Sequence, residues 1–228
     1  MRTKESTDRS PIENWDAIWA AGSRLRRESP VVKQIMALYH GDVKERSILE
    51  VGAGSGRDII ALATRGAQAI ALDRSAIARA RILEEANAVG LSVRILSDDL
   101  RSISLPDRSL DVVYSQGVLE HFTDTDAVLQ EQRRLVKAGG YLIVDVPQRW
   151  NPYTVYKHVR MLLKNWPPGW ETEFSPGQLR RIGERNGLRV VSVYSSGEND
   201  GGIGRVLMPL NVSPWTAKCI GVVYSPKD

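Results

Sequence analysis

One short stretch limits what this chain can fold into more than any other. Glu50-Val51-Gly52-Ala53-Gly54-Ser55-Gly56 follows the apolar run Ser47–Val51 and precedes the helical pattern Asp58–Thr64. Glycines at a strand-to-helix turn let the backbone bend tightly and approach a ligand with no Cβ in the way. A strand that hands over to a helix in this way belongs to a βαβ unit. The rest of the chain therefore has to supply further parallel strands and crossover helices.

The remaining pattern does so. Gln68–Leu72 reads as a strand ending in Asp73, and Ser75–Val89 as a helix with Ser75 as N-cap and Gly90 as stop. Val93–Leu96 is a strand ending in Ser97-Asp98-Asp99, and Leu110–Ser115 is another. Asp126–Val136 reads as a helix stopped by Gly139-Gly140, and Tyr141–Val146 as a strand closed by Pro147. Pro176–Asn186 is a helix capped by Ser175, followed by a strand at Leu188–Tyr194. Asn199–Gly202 reads as a turn, and Lys218–Tyr224 as a last strand, antiparallel at or near the edge. Before the first strand, Ile12–Tyr39 is helical, with a second helix opening at Pro30 and residues 1 to about 12 a loose tail. Trp15 and Trp19 are spaced to share a helix face.

Two acids accompany the glycine loop. Asp73 ends the second strand, where a carboxylate can accept hydrogen bonds from both hydroxyls of a ribose. Asp99 follows the third strand, on the same carboxyl edge of an open sheet. A nicotinamide-binding fingerprint would put glycine where Arg57 stands, and a long cation suits close helix–strand packing poorly.

These residues resemble the class I S-adenosylmethionine-dependent methyltransferases, specifically the small-molecule branch similar to the enzymes of ubiquinone and menaquinone biosynthesis. Ile48 to Gly56 resembles that family's first motif, and Ala71-Leu72-Asp73 its second. Asp99 through Leu110-Asp111-Val112-Val113 resembles the stretch from the adenine acid to strand four. Val118-Leu119-Glu120-His121-Phe122 and Leu135 to Leu142 resemble the two segments after it. The likeness is close over about residues 45–147 and looser over 173–196. Leu105 departs from it, since relatives often carry Phe there.

The resemblance implies a Rossmann-like α/β fold: a mostly parallel seven-stranded sheet with helices on both faces. Residues 1–44 would form an N-terminal helical cover and 45–228 the methyltransferase domain, with 148–172 a lid insert after strand five. It implies S-adenosylmethionine as cofactor and S-adenosylhomocysteine as product. Glu50 would lie near the methionine end, and Gly52, Ala53, Gly54 and Gly56 would line the cofactor. Asp73 and Arg74 would meet the ribose, Asp99 and Leu100 the adenine, and Ser115 and Gln116 the methionine part.

Methyl transfer of this kind is an in-line displacement on an activated sulfonium. Alignment alone can supply up to about 7–11 kcal/mol of such a barrier, and a base matters only if the acceptor must lose a proton. His121, the family's motif residue, is either that base or a packing residue, and His158 is a second candidate that would face the substrate from the insert. His40 reads as a surface residue. No His, Cys or acid cluster has metal-ligand spacing. The Pro-Pro-aromatic signature that follows strand four in nucleic-acid amine methyltransferases is absent, since that position reads Ser115-Gln116-Gly117-Val118.

Composition helps to place the acceptor. All six tryptophans lie outside residues 47–147, and Trp19, Trp150, Tyr153 and Tyr156 are the candidate pocket residues. The net charge of +4 over 228 residues equals that of Arg149, Lys157, Arg160 and Lys164, and 149–164 holds no acid. The excess is thus local, which argues against nucleic acid. Val155, Val159, Leu162 and Trp166 fall at helical spacing there, so the insert reads as a basic amphipathic helix. Three readings stay open for it: a lid, a peripheral membrane contact through 149–166, or a cap with a solvated basic face. A single cysteine, Cys219, and no apolar leader point to a cytoplasmic setting. The expected function is methyl transfer to a small, apolar or aromatic molecule. The alternatives are a membrane-surface enzyme for a quinone- or lipid-like acceptor, or a cofactor-binding accessory protein without turnover.

Overall fold

A computed structural model describes residues 11–21, 28–196 and 217–227. Most of the tail before residue 12, the turn read at Asn199–Gly202, and Trp215 lie outside the described residues.

In chain order the elements are α1 (Ile12–Ala20), α2 (Pro30–Leu38), β1 (Ser47–Val51), α3 (Arg57–Thr64), β2 (Gln68–Leu72) and α4 (Ala76–Ala88). They continue with β3 (Arg94–Leu96), β4 (Leu110–Gln116), α5 (Thr125–Leu135) and β5 (Val136–Pro147). The last are α6 (Pro152–Leu162), α7 (Pro176–Arg185), β6 (Leu188–Ser196) and β7 (Cys219–Pro226). One seven-stranded sheet runs β3-β2-β1-β4-β5-β7-β6. Strands β1 to β5 are parallel to one another, and β7 is antiparallel to both β5 and β6. The last strand in sequence is therefore the second in from the edge, and β6 is the edge strand.

Alternation along the strands fills two cores. Leu49 and Val113 face one side with Leu129 of α5 and Leu179 of α7. Ile48, Val112 and Tyr114 face the other with Val32 and Ile35 of α2, Ile59 and Leu62 of α3, and Ile82 of α4. Side chains as buried as Ile35, Leu49 and Leu129 each stabilise the fold by roughly 1.5–3 kcal/mol. Helix α2 is thus part of the core and not merely a cover over it.

Local signals set most of the helix starts. Ser75, Asp124, Asn151 and Ser175 each accept a backbone N–H as N-cap, and Ser175 with Gln178 completes a capping box. One boundary differs from expectation. Helix α5 ends at Leu135 and β5 begins at once with Val136, so Gly139 and Gly140 lie inside the strand and do not stop the helix. The cause is long-range: Val136 pairs with Leu110, and the Ser109 N–H donates to the Leu135 carbonyl at 2.9 Å. No helix among the described residues is long and apolar enough to cross a membrane.

Gly221 in β7 marks a tight packing point, because a Cβ there would fall within the buried Tyr194 ring of β6. Gly221→Ala is expected to cost about 1–3 kcal/mol by overpacking, read as a lower urea midpoint at unchanged slope. An unchanged midpoint would show that Tyr194 has room to swing aside.

Candidate active site

Both faces of the sheet are covered, so a ligand can reach it only at the strand ends. The glycine loop sits at the carboxyl end of β1. Gly52, Gly54 and Gly56 have φ of 69°, 52° and 72°, a left-handed conformation that side chains disfavour. A Cβ on Gly52 would overlap Val118, one on Gly54 the Trp19 indole, and one on Gly56 the Ile82 side chain. The three glycines are therefore required both by conformation and by the close approach of other elements.

Asp73 organises this edge. Its Oδ2 accepts the Gly54 N–H at 2.8 Å and its Oδ1 accepts the Ser75 N–H at 2.8 Å. One carboxylate thus holds both the loop after β1 and the entry to α4. Each oxygen keeps a further lone pair free to accept a hydroxyl. Burial raises the Asp73 pKa, against the lowering effect of these two N–H groups and of Arg79. Arg74, beside it, is exposed.

Glu50 lies beneath the loop, 5% exposed, and its Oε2 accepts the Ile59 N–H at 3.2 Å. Burial, with the Asp58 carboxylate nearby, pushes its pKa well up. Asp58 itself is a focal point that the sequence reading missed. It accepts the Ser29 N–H at 3.0 Å, both ends of an Arg57 fork at 3.0 Å, and Gln116 Nε2 at 2.7 Å. Burial opposes its ionisation, but these donors hold its pKa below the usual carboxylate value. Arg57, which argued against a nicotinamide fingerprint, thus serves Asp58. An acid in the first turn of a helix was the available signal, and it reads equally as a response to the helix dipole.

Ser115 is buried at the end of β4, with Gln132 Oε1 3.4 Å from its hydroxyl. Ala53 and Leu100 are buried. Asp99 is differently engaged: its carboxylate takes the Arg101 guanidinium, which holds its pKa down at about 2. Neighbouring Asp98 accepts the Ser104 N–H and hydroxyl.

Helix α1 crosses this edge with one face. Trp15 stands edge-on to the His121 ring with centroids 4.9 Å apart, Asp16 meets the Ser75 hydroxyl, and Trp19 covers Gly54. The structure thus brings Trp19 and His121 to the edge that carries the glycine loop. His121 is buried, with Nδ1 3.2 Å from the Trp170 carbonyl. Beside it Glu120 is 2% exposed, and burial together with Glu171 raises its pKa well above normal.

The insert after β5 departs from expectation. Helix α6 forms, but Val155, Val159 and Leu162 are 69%, 52% and 83% exposed, whereas Lys157 is 3% exposed. Its apolar stripe faces outward and its lysine inward. Lys157 Nζ lies 2.7 Å from Glu171 Oε2 and 2.7 Å from Glu173 Oε1, acids that follow the cationic stretch. Burial alone would lower its pKa, and the two glutamates more than reverse that. The amphipathic helix read from the sequence forms, but its basic character is reduced, since Lys157, one of the insert's four cations, is buried and neutralised. Trp166 lies beyond the helix, donating to Glu171 at 2.9 Å. His158 Nε2 pairs with Glu173 Oε2 at 2.8 Å, which leaves Nδ1 as its other ring nitrogen. Tyr153 packs on Tyr156 and Trp166, with Lys218 4.7 Å above its ring. Trp150 is 65% exposed and is not enclosed in a pocket wall.

Lys157→Met would leave Glu171 and Glu173 buried without their cation. It is expected to cost about 3–5 kcal/mol near neutral pH, with the deficit shrinking on acidification as Glu173, whose pKa Lys157 helps to hold down, takes up a proton. Denaturant melts at two pH values measure this, and a deficit independent of pH would exclude the ion cluster as its cause.

Comparison with known proteins agrees with this geometry. Residues 49–144 match the family model described as a methyltransferase domain. A probable S-adenosylmethionine-dependent methyltransferase of Mycobacterium tuberculosis is 33% identical over 106 residues, covering 46% of this chain and 36% of that protein. The match thus spans little more than a third of that relative's length. A ubiquinone biosynthesis O-methyltransferase of Aeromonas salmonicida is 27% identical over 207 residues, covering 83% of this chain and 85% of that protein. Among solved structures, magnesium protoporphyrin IX methyltransferase from Synechocystis with bound SAH superposes with a TM-score of 0.66 at 16% identity. That superposition covers 94% of this chain and 84% of that one, and it speaks to the fold. With the ordered motifs, the strand order and the left-handed glycine loop, residues 49–144 form a domain similar to those of the S-adenosylmethionine-dependent methyltransferases.

Proposed function

We propose that the protein transfers a methyl group from S-adenosylmethionine to a small, apolar or aromatic acceptor, in a cytoplasmic setting. The observation that carries this reading is the Asp73 carboxylate beside three left-handed glycines at the carboxyl end of β1. A left-handed turn beside a carboxylate that keeps lone pairs free suits the ribose of an adenosyl group. In this reading Asp73 accepts the ribose hydroxyls, with Arg74 at its side. Gly52, Ala53, Gly54 and Gly56 line the cofactor, and Glu50, Ser115 and Gln116 border its methionine part. Asp99 and Leu100 flank the adenine, which requires Asp99 to share its carboxylate with Arg101. When bound, the cofactor supplies a methyl group already activated on sulfur. The chain's own work is then to orient and to exclude water. Trp19 and Trp15 close the mouth from α1, and Tyr153 and Tyr156 offer aromatic surface from the insert. Residues 148–172 act as the lid. His121, held between Trp15 and the Trp170 carbonyl, orients the acceptor or takes its proton. His158, oriented by its bond to Glu173, is the second candidate for that proton.

Asp73→Ala should weaken binding of S-adenosylhomocysteine by about 1–3 kcal/mol in calorimetry. Unchanged affinity would show that the ribose lies elsewhere. Transfer of labelled methyl to candidate acceptors tests turnover. Tight cofactor binding with no acceptor methylated would favour an accessory role.

A second reading is that the acceptor is lipophilic and is met at a membrane surface. The outward face of α6 favours it. Trp150, Val155, Val159, Leu162, Leu163 and Trp170 are all 48% to 83% exposed, with exposed Arg149 and Lys164 beside them. Aromatic and aliphatic groups rimmed by cations suit an anionic lipid interface. Sedimentation with vesicles containing phosphatidylglycerol should pull the protein down, and Leu162→Ser with Leu163→Ser should abolish this. Binding that survives the double variant, or self-association in place of vesicle binding, would reject the membrane reading.

A further inference from the structure

At the edge of the sheet opposite the glycine loop lies a cavity of about 390 Å³. Its position follows from the topology: β5 begins there with Val136, and antiparallel β7 ends there with Pro226. The proposed methyl-transfer site uses none of its residues.

The lining is strongly basic. Arg108, Arg133, Arg134 and Lys227 converge on it, and among the described residues Asp107 is the one acid in the lining. Arg134 is already committed, pairing with Asp107 at 2.5 Å and with Glu131 at 2.7 Å. The other three cations are not neutralised among the described residues. Arg133 reaches only the Lys227 carbonyl, at 3.5 Å, and its Nε is buried with no hydrogen-bond partner. Arg108 and Lys227 are exposed, and neither side chain has an ion pair among the described residues.

Cations near the end of α5 would ordinarily answer the carbonyls of the helix C-terminus. That accounts for Arg133 and Arg134, which lie in its last turn. It does not account for Arg108, from the loop before β4, or for Lys227, from beyond β7. Three cations brought together from three segments, unpaired among the described residues, repel one another, and a buried guanidinium nitrogen without an acceptor is costly. A single carboxylate would be met by one arginine fork. A multiply charged oxyanion can accept from all three groups at once.

We propose that this cavity is a binding site for a phosphate or pyrophosphate group, separate from the cofactor site. Arg108 and Arg133 hold the oxygens by charge-assisted hydrogen bonds, and Lys227 adds a point charge. Because the site lies at the far edge of the sheet, its occupancy does not depend on the adenosyl cofactor.

Calorimetric titration of the full chain with pyrophosphate, and separately with adenosine diphosphate, tests this at low salt. Pyrophosphate is expected to bind with a Kd of about 1 mM or tighter, more weakly as salt is raised. Arg108→Gln with Arg133→Gln should weaken it by about tenfold or more. Arg108→Gln alone, at an exposed position, should weaken it several-fold without affecting the fold. Saturating S-adenosylhomocysteine should leave the affinity unchanged, as should Asp73→Ala. Tighter binding of the diphosphate nucleotide than of pyrophosphate would identify a nucleotide as the ligand, and equal affinity a free oxyanion. The proposal is overturned if pyrophosphate does not bind, if the variants bind it as well as the parent chain, or if S-adenosylhomocysteine displaces it. None of these results bears on whether the cofactor cradle works.

Discussion

A sheet buried on both faces can meet a small molecule only along its ends, and much of the candidate site follows from that. The parallel strands β1 to β5 send their carboxyl ends to one edge, so residues distant in sequence meet there. Asp73 then fixes the local geometry. By accepting N–H groups from Gly54 and Ser75, its carboxylate ties the loop after β1 to the start of α4. Without it, two backbone donors would lose their acceptor and the glycine turn its anchor. Helix α1 depends on the same arrangement, because Trp19 rests where Gly54 lacks a side chain.

The insert after β5 obeys a different balance. An ordinary surface helix turns its apolar stripe to the core, but here the core side offers two glutamates. Bringing Lys157 to Glu171 and Glu173 removes three charges from water together, which is tolerable only because they pair. The helix is thereby rotated so that Val155, Val159 and Leu162 face out. This leaves an apolar face on the surface. Local charge here sets the orientation of a helix, which then decides what its apolar face can do.

Much of the architecture was legible in the residues. Strand-to-helix alternation, caps at Ser75 and Ser175, and the glycine loop are short-range signals, and the elements formed close to where they were read. The positions of Asp73 and of the glycines followed for the same reason. The limits of β5 were less legible, because Val136 joins the sheet through pairing with Leu110, a contact that sequence periodicity does not register. Asp58 escaped notice because its donors come from Ser29, Arg57 and Gln116, of which only Arg57 is near it in sequence. The pairing of Asp99 with Arg101 was not foreseen, because it depends on how the loop after β3 turns.

The net charge of +4 shows the division most clearly. The sequence alone determined that the excess is confined to 149–164, that the chain is α/β, and that a glycine loop and an acid stand at successive strand ends. Those follow from local periodicity and backbone preference. Only the tertiary structure decided that Lys157 is buried between two glutamates, that α6 turns its valines and leucines outward, and that Arg108, Arg133 and Lys227 meet around one cavity. These depend on which segments come together in space. Electrostatic pairing acts across such contacts at a few ångströms, whatever the separation along the chain.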